Sequence, residues 1–272
     1  MNIREQVRFA LAEDIQTGDI HVQLSEAGCQ VSARVITREA MIMCGQEWVS
    51  ECFRQVDSRV QIQWLVHDGQ KAEAGQTLME IKGEASSLLT AERTALNFLQ
   101  LLSATATQTR QYVDAIKDTQ CQLLDTRKTV PLFRHAQKYA VRCGGGSNHR
   151  VGLYDAFIIK ENHILACGSI TLAAKKAREI DPQKKLEIEV ENLIELQEAI
   201  DAQVDVAMLD NFTHSDMVRA VALNAGRIKL EASGNVTLDT IHQIADTGVD
   251  YISVGATTKN IHAIDLSMRL IR

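Results

Sequence analysis

The segment CGGGSNHRVGLYDAFIIKENH, residues 143–163, combines a glycine-rich loop with three groups that can bind an anion. Three consecutive glycines precede His149 and Arg150, and an apolar run then leads to Lys160. A guanidinium matches a carboxylate through two parallel hydrogen bonds. The glycines could simply end the preceding helix, but three in succession favour a loop whose backbone amides approach a ligand. The segment therefore predicts part of an anion-binding site.

Polar residues also stand at the ends of several other apolar runs. If these runs are parallel strands, their carboxyl ends meet at one edge of the sheet, where the active sites of α/β barrels are built. The residues concerned are Asp125, Arg127, Lys128, Lys160, Asp210, Ser233 and Gly255.

Five basic or ionisable groups would then crowd one end of the sheet. Two like charges about 4 Å apart repel by about 4 kcal/mol at an effective dielectric near 20, so an anion must offset them. The alternative is internal ion pairing with the acids Asp125, Asp155 and Glu161, which remains open for any single cation. The five groups are Arg127, Lys128, His149, Arg150 and Lys160.

Two small-residue segments near the end of the chain predict a phosphate site. EASGN at 231–235 precedes a helix expected to begin near Thr237, and SVGATT at 253–258 precedes the last helix. Free backbone N–H groups and the helix dipole favour phosphate at such positions. In barrels, phosphate sites commonly follow the last strands, although ordinary turns would explain either segment alone.

Two carboxylates, Glu189 and Asp210, fall at the ends of neighbouring predicted strands. Mg²⁺ is commonly held by one or two carboxylates together with phosphate oxygens of a substrate. Ion pairing to Lys128 or Lys160 is the alternative for both. Either interpretation places these acids in the site.

The second half of the chain alternates strand-like and amphipathic helical segments. Strands are predicted at 122–126, 156–160, 186–191, 206–210, 228–233 and 251–256. This alternation predicts parallel strands with helical crossovers, in a complete or incomplete α/β barrel, with a doubly wound open sheet as the alternative. In LEIEVEN (186–192) apolar residues alternate with Glu187, Glu189 and Glu191, which must face a polar centre or solvent.

The first hundred residues predict an α+β layer. Residues 1–20 have helical spacing, and strands are predicted at 31–38, 41–45, 59–66 and 76–83. A long helix or helical pair follows at 89–118. The stretch VHDGQKAEAGQTLMEIKG is also similar to lipoyl or biotinyl carrier hairpins, but it presents no modifiable lysine of that kind, which favours a structural hairpin.

Composition limits the functional classes. The 272 residues are 45% hydrophobic with a formal charge of -6, which gives no support to a nucleic-acid or membrane-surface partner. Six cysteines form no CxxC pair, so neither a zinc site nor a disulfide framework is expected, and a reducing cytoplasm fits best. The start lacks a long apolar segment and no run is long enough for a membrane span, so the protein is expected to be neither exported nor anchored.

Several long motifs closely resemble the quinolinate phosphoribosyltransferase family, also called carboxylating nicotinate-nucleotide pyrophosphorylase. The resemblance spans nearly the whole chain and implies an N-terminal α+β domain at 1–100 and an incomplete (β/α) barrel domain at 101–262. The tail 263–272 would pack on the first domain, and the active protein would be a homodimer. The motifs are LLDTRKTVP, KYAVRCGGGSNHRVGLYDAFIIKENHI, IEVEN, MLDNF, EASGN and DYISVGATTKNIHAIDLSMRL.

The resemblance also implies roles for individual residues. Quinolinate would be bound by Arg127, His149, Arg150 and Lys160, with Arg93 reaching across from the partner subunit. Lys128, Glu189 and Asp210 would be catalytic and would address phosphoribosyl pyrophosphate, the two acids through Mg²⁺. The remaining substrate-binding residues would be Thr126, Ser233, Gly234, Asn235, Val254, Gly255 and Ala256.

The implied reaction joins quinolinate to phosphoribosyl pyrophosphate with loss of CO2, giving nicotinate mononucleotide and pyrophosphate for de novo NAD biosynthesis. Three alternatives remain. Lys160 could form a Schiff base if burial lowered its pKa. The pocket could bind without turnover, or the chain could be a molybdenum-transport-associated relative of unclear substrate.

Overall fold

The computed structural model describes residues 2–24 and 28–271. These residues divide into two compact units, each discontinuous in sequence. The first unit comprises Met1–Arg110, Pro131–Gly145 and Asn260–Arg272. The second comprises Gln111–Val130 and Gly146–Lys259.

Helices and strands mix without a regular order in the first part of the chain. Asn2 begins the first helix with a capping box, in which its side chain accepts from the Glu5 N–H and the Glu5 carboxylate accepts from the Asn2 N–H. A short 3₁₀ helix covers Ile20–Leu24. The elements in chain order are α1 (Ile3–Ile15), β1 (Gln30–Thr37), β2 (Met41–Ile42), α2 (Gln46–Val56), β3 (Gln61–Trp64), β4 (Lys71–Ala72), β5 (Thr77–Glu84) and α3 (Ala85–Ala115).

Strands and helices alternate over most of the rest of the chain. The elements are β6 (Gln122–Leu124), α4 (Arg134–Cys143), β7 (Ala156–Ile159), α5 (Glu161–Cys167), α6 (Ile170–Ile180), β8 (Lys185–Val190), α7 (Leu193–Asp201), β9 (Val206–Asp210), α8 (His214–Asn224), β10 (Lys229–Ser233), α9 (Ile241–Ala245), β11 (Tyr251–Ser253), α10 (Ala256–Lys259) and β12 (Leu266–Ile271).

The first unit is built on an antiparallel sheet in the order β12-β1-β5-β3. The predicted strands at 31–38 and 76–83 are confirmed, whereas the run at 41–45 holds only the two-residue strand β2 because α2 begins at Gln46. Helix α2 has no counterpart among the elements predicted from the sequence. Its buried residues Trp48, Val49, Cys52 and Phe53 repeat at helical spacing, which was the available signal.

The second unit is built on a parallel sheet in the order β6-β11-β10-β9-β8-β7. Within the described residues β6 and β7 do not pair, so the six strands form an incomplete barrel, as predicted. An isolated bridge joins Leu124 to Ser147 beside this gap. Every predicted strand of this half is present, with ends that differ by at most three residues and with β9 matching at both ends.

The barrel strands present an apolar face to the surrounding helices and a polar face to the interior. Leu186, Ile188 and Val190 belong to the core shared with the helices. Glu187 alternates with them and is 1% exposed, and Glu231 on β10 is fully buried. The predicted alternation in β8 is confirmed. The polar face of β8 places Glu187 in a buried cluster of charged side chains.

Across residues 2–24 and 28–271, the helices are all too short or too polar to serve as a membrane span.

Candidate active site

The carboxyl ends of the six parallel strands meet at one edge of the second unit. The strands are paired in parallel register, so that Asp210 at the end of β9 lies opposite Ser233 at the end of β10. Lys160 follows β7, and Glu189 is the penultimate residue of β8. The residues at or just beyond these ends are Thr126, Arg127, Lys128, Lys160, Glu189, Asp210, Ser233, Gly234, Asn235, Val254, Gly255 and Ala256.

Asp125 fixes the loop that carries His149 and Arg150. It follows β6 and is fully buried. One carboxylate oxygen accepts from the backbone N–H of His149 at 2.9 Å, and the other accepts from the Asn148 amide at 2.6 Å. Its own N–H donates to the Ser147 carbonyl oxygen at 3.1 Å. Asp125 therefore organises this loop through hydrogen bonds.

The His149 ring lies between two buried carboxylates. Its Nε2 is 2.9 Å from Glu187 Oε2 and 3.3 Å from Glu231 Oε2. The contact with Glu187 has hydrogen-bond geometry, whereas neither carboxylate oxygen of Glu231 has a hydrogen-bond partner. On the other side of the ring, the Arg150 backbone N–H donates to Nδ1 at 2.8 Å.

These contacts set the charge of the imidazole. Burial by itself would lower the pKa of His149, but the hydrogen bond and charge of Glu187, with the charge of Glu231, outweigh it and raise the pKa to about 9. The Arg150 N–H donates to Nδ1, which accepts only while that nitrogen carries no proton. Burial raises the pKa of Glu187. The two carboxylates thus favour the protonated ring, and protonation at Nδ1 requires the hydrogen bond from the Arg150 N–H to break.

Arg150 lies near charges of both signs, the guanidinium of Arg127 and the carboxylates of Glu187 and Asp155. Its Nη1 donates to the Ala156 carbonyl oxygen at 3.2 Å, while its buried Nε has no hydrogen-bond partner. Burial lowers the pKa of Arg150, and the nearby charge of Arg127 lowers it further. A buried guanidinium nitrogen without a partner, beside a second guanidinium, is suited to receive an anion.

Asp155 does not neutralise this cation by direct contact. Its carboxylate accepts from the backbone N–H groups of Val151 and Gly152 at 2.6 and 3.1 Å, which tightens the turn before β7. Burial would raise the pKa of Asp155, but these two hydrogen bonds lower it.

Lys160 and Glu189 form an ion pair across β7 and β8. This is the alternative that the sequence left open for these two residues. Lys160 remains 47% exposed, so solvent weakens the pair and a competing anion can displace it.

The Lys128 side chain packs against Gly255. A methyl group at Gly255 would lie 3.2 Å from Lys128 Cδ and 3.5 Å from Thr126 Oγ1. The Lys128 backbone is fixed by its N–H to Thr126 Oγ1 at 3.1 Å and by the Thr258 hydroxyl, which donates to its carbonyl oxygen at 2.8 Å. The loops after β6 and β11 are therefore in contact, and the Lys128 side chain lies exposed above them.

A second tight contact joins the loops after β9 and β10. Asn211 adopts a left-handed conformation and donates through its amide to Asp210 Oδ2 at 2.8 Å. Gly234 also has positive φ, and a methyl group there would lie 2.3 Å from Asn211 Oδ1. Asn235 continues the left-handed turn with φ 48°.

One sequence expectation for the phosphate site is wrong. The helix after EASGN begins at Ile241 rather than near Thr237, because residues 238–240 form a turn in which Thr240 Oγ1 accepts from the Thr237 N–H. This helix and α10 are each no more than five residues long. Backbone groups of the loops, and not a long helix dipole, are what these segments offer a phosphate.

Two clusters in the described residues could hold a metal ion by donor type and distance. One is His149 with Glu187 and Glu231, where Nε2 of the ring lies 2.9 and 3.3 Å from the two carboxylates. The other, Cys44 with Asp68 and Cys143, belongs to the first unit. Glu187 and Glu231 were not among the predicted site residues, although both stand on the polar face of their strands.

Arg93 belongs to the first unit. It lies exposed on α3, between the buried residues Ala91 and Thr94.

Comparison with known proteins identifies relatives over nearly the full length. Residues 15–103 match the quinolinate phosphoribosyl transferase N-terminal domain family, and residues 105–269 match the C-terminal domain family. A probable carboxylating nicotinate-nucleotide pyrophosphorylase of Bacillus subtilis is 40% identical, covering 98% of this chain and 93% of its own. That of Synechocystis is 43% identical, covering 96% and 90%.

A solved structure is also similar. The nicotinate-nucleotide pyrophosphorylase from Francisella tularensis superposes with a TM-score of 0.95 at 53% identity, covering 99% of this chain and 96% of that one.

Proposed function

Because this chain belongs to the quinolinate phosphoribosyltransferase family, we infer that it is a pentosyltransferase acting in de novo NAD biosynthesis. It transfers phosphoribosyl from phosphoribosyl pyrophosphate to quinolinate with decarboxylation. The products are nicotinate mononucleotide, CO2 and pyrophosphate. The relatives named quinolinate phosphoribosyltransferase [decarboxylating] from Nicotiana tabacum carry the same activity in their names.

The observation that carries the residue assignment is the buried, unpartnered Nε of Arg150 beside Arg127. Arg127, Arg150 and His149 form the carboxylate subsite, and Lys160 joins it when it leaves Glu189. Two carboxylates offset this positive charge better than one. The same contacts fix the pyridine ring so that its nitrogen faces the ribose C1.

The opposite strand ends bind the phosphoribosyl donor. Lys128 is exposed above Gly255 and reaches the pyrophosphate, with the Thr126 hydroxyl beside it. The close-packed loops at Ser233–Asn235 and Val254–Ala256 bind the 5-phosphate through backbone N–H groups other than that of Val254, which donates to the Leu124 carbonyl oxygen at 3.0 Å. At Gly234 and Gly255 the missing side chain makes room for Asn211 and Lys128.

Glu189 and Asp210 are the residues that would hold Mg²⁺ with the donor. They offer hard oxygen ligands at the ends of the adjacent strands β8 and β9, which fits the preference of this ion. When bound, the ion neutralises charge on the departing pyrophosphate. Glu189 must give up Lys160 to do so, which would free the ammonium for the quinolinate carboxylate.

The reaction has two steps, transfer of phosphoribosyl to the pyridine nitrogen and loss of CO2. The pyridine nitrogen attacks C1 as the bond to pyrophosphate breaks, and Lys128 stabilises the leaving oxygen. Glu189 and Asp210 offset positive charge on the ribose ring. Ribosylation leaves the ring nitrogen cationic, so the electrons of the breaking C2–carboxylate bond move toward it and CO2 departs. A proton then replaces the carboxylate at C2.

We also propose a homodimer in which Arg93 of one subunit completes the site of the other. Arg93 is exposed on its own chain and is therefore accessible to a partner. An Arg93→Ala subunit mixed with a Lys128→Ala subunit should regain activity that neither has alone, because some sites would receive both residues. Activity of the mixture no greater than the summed activities of the two separate proteins would reject the shared site.

We also propose a cytoplasmic location, and the free thiols of the cysteines among the described residues are compatible with a reducing compartment.

The function is tested by supplying quinolinate labelled at the C2 carboxylate, phosphoribosyl pyrophosphate and Mg²⁺. Labelled CO2, pyrophosphate and mononucleotide should appear in equal amounts. Binding of quinolinate without pyrophosphate release would indicate a binding protein. A stable adduct at Lys160 after borohydride treatment with a carbonyl substrate would favour the Schiff-base alternative.

A further inference from the structure

Two free thiols meet in the first unit, in a cluster that the proposed reaction does not use. The Sγ atoms of Cys44 and Cys143 and a carboxylate oxygen of Asp68 lie within 4.8 Å of one another. Cys44 is fully buried and Cys143 is partly exposed at the last position of α4.

The backbone around Cys44 is fixed. Its N–H donates to Ser103 Oγ at 3.1 Å, and the same hydroxyl donates to its carbonyl oxygen at 3.2 Å. The preceding Met43 exchanges backbone hydrogen bonds with Gln70 and Gly69 at 2.9 and 2.8 Å. Cys44 is thus held in one position opposite Cys143.

Asp68 is fully engaged by other donors. Its Oδ1 accepts from the N–H groups of Gly45 and Gln46 at 2.9 and 3.3 Å, at the start of α2. Its Oδ2 accepts from the Tyr139 hydroxyl at 2.8 Å. These bonds favour a structural role for Asp68 over metal ligation, since zinc normally takes four ligands and the cluster offers three within the described residues.

The two thiols differ in reactivity. Burial raises the pKa of Cys44. The neighbouring Cys44 thiol lowers the pKa of Cys143, with help from the Tyr139 hydroxyl and the charge of Arg142, against the opposing effects of burial and Asp68. An accessible, more acidic thiol beside a buried resolving thiol is the usual arrangement of a redox-sensitive pair.

We propose that Cys44 and Cys143 are a redox-active dithiol that a low-molecular-weight disulfide converts to an intramolecular disulfide. The sulfur of Cys143 attacks one sulfur of the oxidant, whose S–S bond breaks and releases one thiol. The sulfur of Cys44 then attacks Cys143 in the mixed disulfide and releases the second thiol. The protein loses two hydrogens, and the oxidant is reduced to two thiols.

Formation of the bond needs only a short movement. The sulfurs lie within 4.8 Å of each other and must approach to about 2 Å for the bond to form. The disulfide would connect Cys143, the last residue of α4, to Cys44, which directly precedes the N-cap residue Gly45 of α2. The proposal concerns the first unit and does not depend on the catalytic assignment.

The test uses the reduced full-length protein at a series of glutathione disulfide to glutathione ratios. Remaining thiols are alkylated and a non-reducing digest is analysed by mass spectrometry. A Cys44–Cys143 linked peptide should appear as the ratio rises and disappear on reduction. The Cys44→Ala variant should instead accumulate glutathione on Cys143, and Cys143→Ser should show no link.

The controls are other cysteines of the chain. Cys52→Ala, which removes a fully buried thiol from the same core, should leave the Cys44–Cys143 link intact. The exposed Cys29 reports that the oxidant is active.

Glutathione on Cys29 while Cys44 and Cys143 both stay reduced would overturn the proposal. So would glutathione on Cys143 of the unmutated protein without a link. Retention of one equivalent of Zn²⁺ after dialysis, lost in Cys143→Ser, would make the cluster a metal site and also overturn it.

Discussion

His149 Nε2 lies 2.9 Å from a carboxylate oxygen of Glu187, and the two side chains are only 9% and 1% exposed. The pair stands at the polar centre of the barrel, with Glu231 as a second acid at 3.3 Å. The two acids raise the pKa of the ring, and the first expectations follow from this shift.

The first concerns stability against pH. Since the pKa of His149 rises from 6.5 to about 9 on folding, its charged form contributes stability fully below pH 6.5. That contribution is lost as pH rises through about 9. The free energy of unfolding, measured with urea, should therefore fall over this window, and His149→Gln should flatten the fall. His242→Gln removes an exposed imidazole as a control. Equal slopes in all three proteins would contradict the assignment.

The second concerns the role of Glu231. Neutralising it as Glu231→Gln removes one of the two charges that raise the pKa of His149, so the NMR titration midpoint of the ring should fall. Glu187→Gln should lower it further, since Glu187 also makes the hydrogen bond. An unchanged midpoint in both variants would show that the carboxylates do not set the charge of the ring.

The third concerns the carboxylate subsite. Arg150→Ala should cost about 2 to 5 kcal/mol in transition-state stabilisation, measured as kcat/KM for quinolinate. Arg150→Lys should recover only part, because an ammonium cannot form the paired bonds. Lys175→Ala on the exposed face of α6 is the matched control. We also expect the unmutated protein to prefer quinolinate to nicotinate, and comparable turnover of the monocarboxylate would contradict the subsite.

The fourth separates catalysis from stability at Lys160 and Glu189. The pair is partly exposed, so Glu189→Gln should change the free energy of unfolding by less than about 1 kcal/mol. The same change should lower kcat strongly if Glu189 assists the reaction. A thermal unfolding curve and a rate measured on one preparation decide this. A large loss of stability with normal kcat would make the pair purely structural.

The fifth concerns the position of Lys128. Gly255→Ala places a methyl group 3.2 Å from Lys128 Cδ and should displace this side chain, raising KM for phosphoribosyl pyrophosphate. Lys128→Ala removes the contact, so adding Gly255→Ala to it should cause little further loss. Additive losses would show that Gly255 acts on the substrate directly and not through Lys128.

Local pattern was enough to predict much of this protein. Period-two alternation in β8 and the strand and helix repeat of the second half come from neighbouring residues, which the sequence displays directly. Parallel strands must bring their carboxyl ends together, so the convergence of Lys160, Asp210 and Ser233 followed from the fold. The long motifs identified the family, which the comparisons confirm.

Tertiary structure alone decided which partners these residues have. His149 is separated from Glu187 by 38 residues, and no spacing rule links them. Cys44 meets Cys143 only because the chain between them folds back, and the carboxylates of Asp125 and Asp68 accept from backbone groups that sequence does not assign. Such contacts depend on how distant segments pack, whereas local periodicity records only which face of an element is buried. The sequence therefore determined the fold and the side chains at its strand ends, and packing determined their charges.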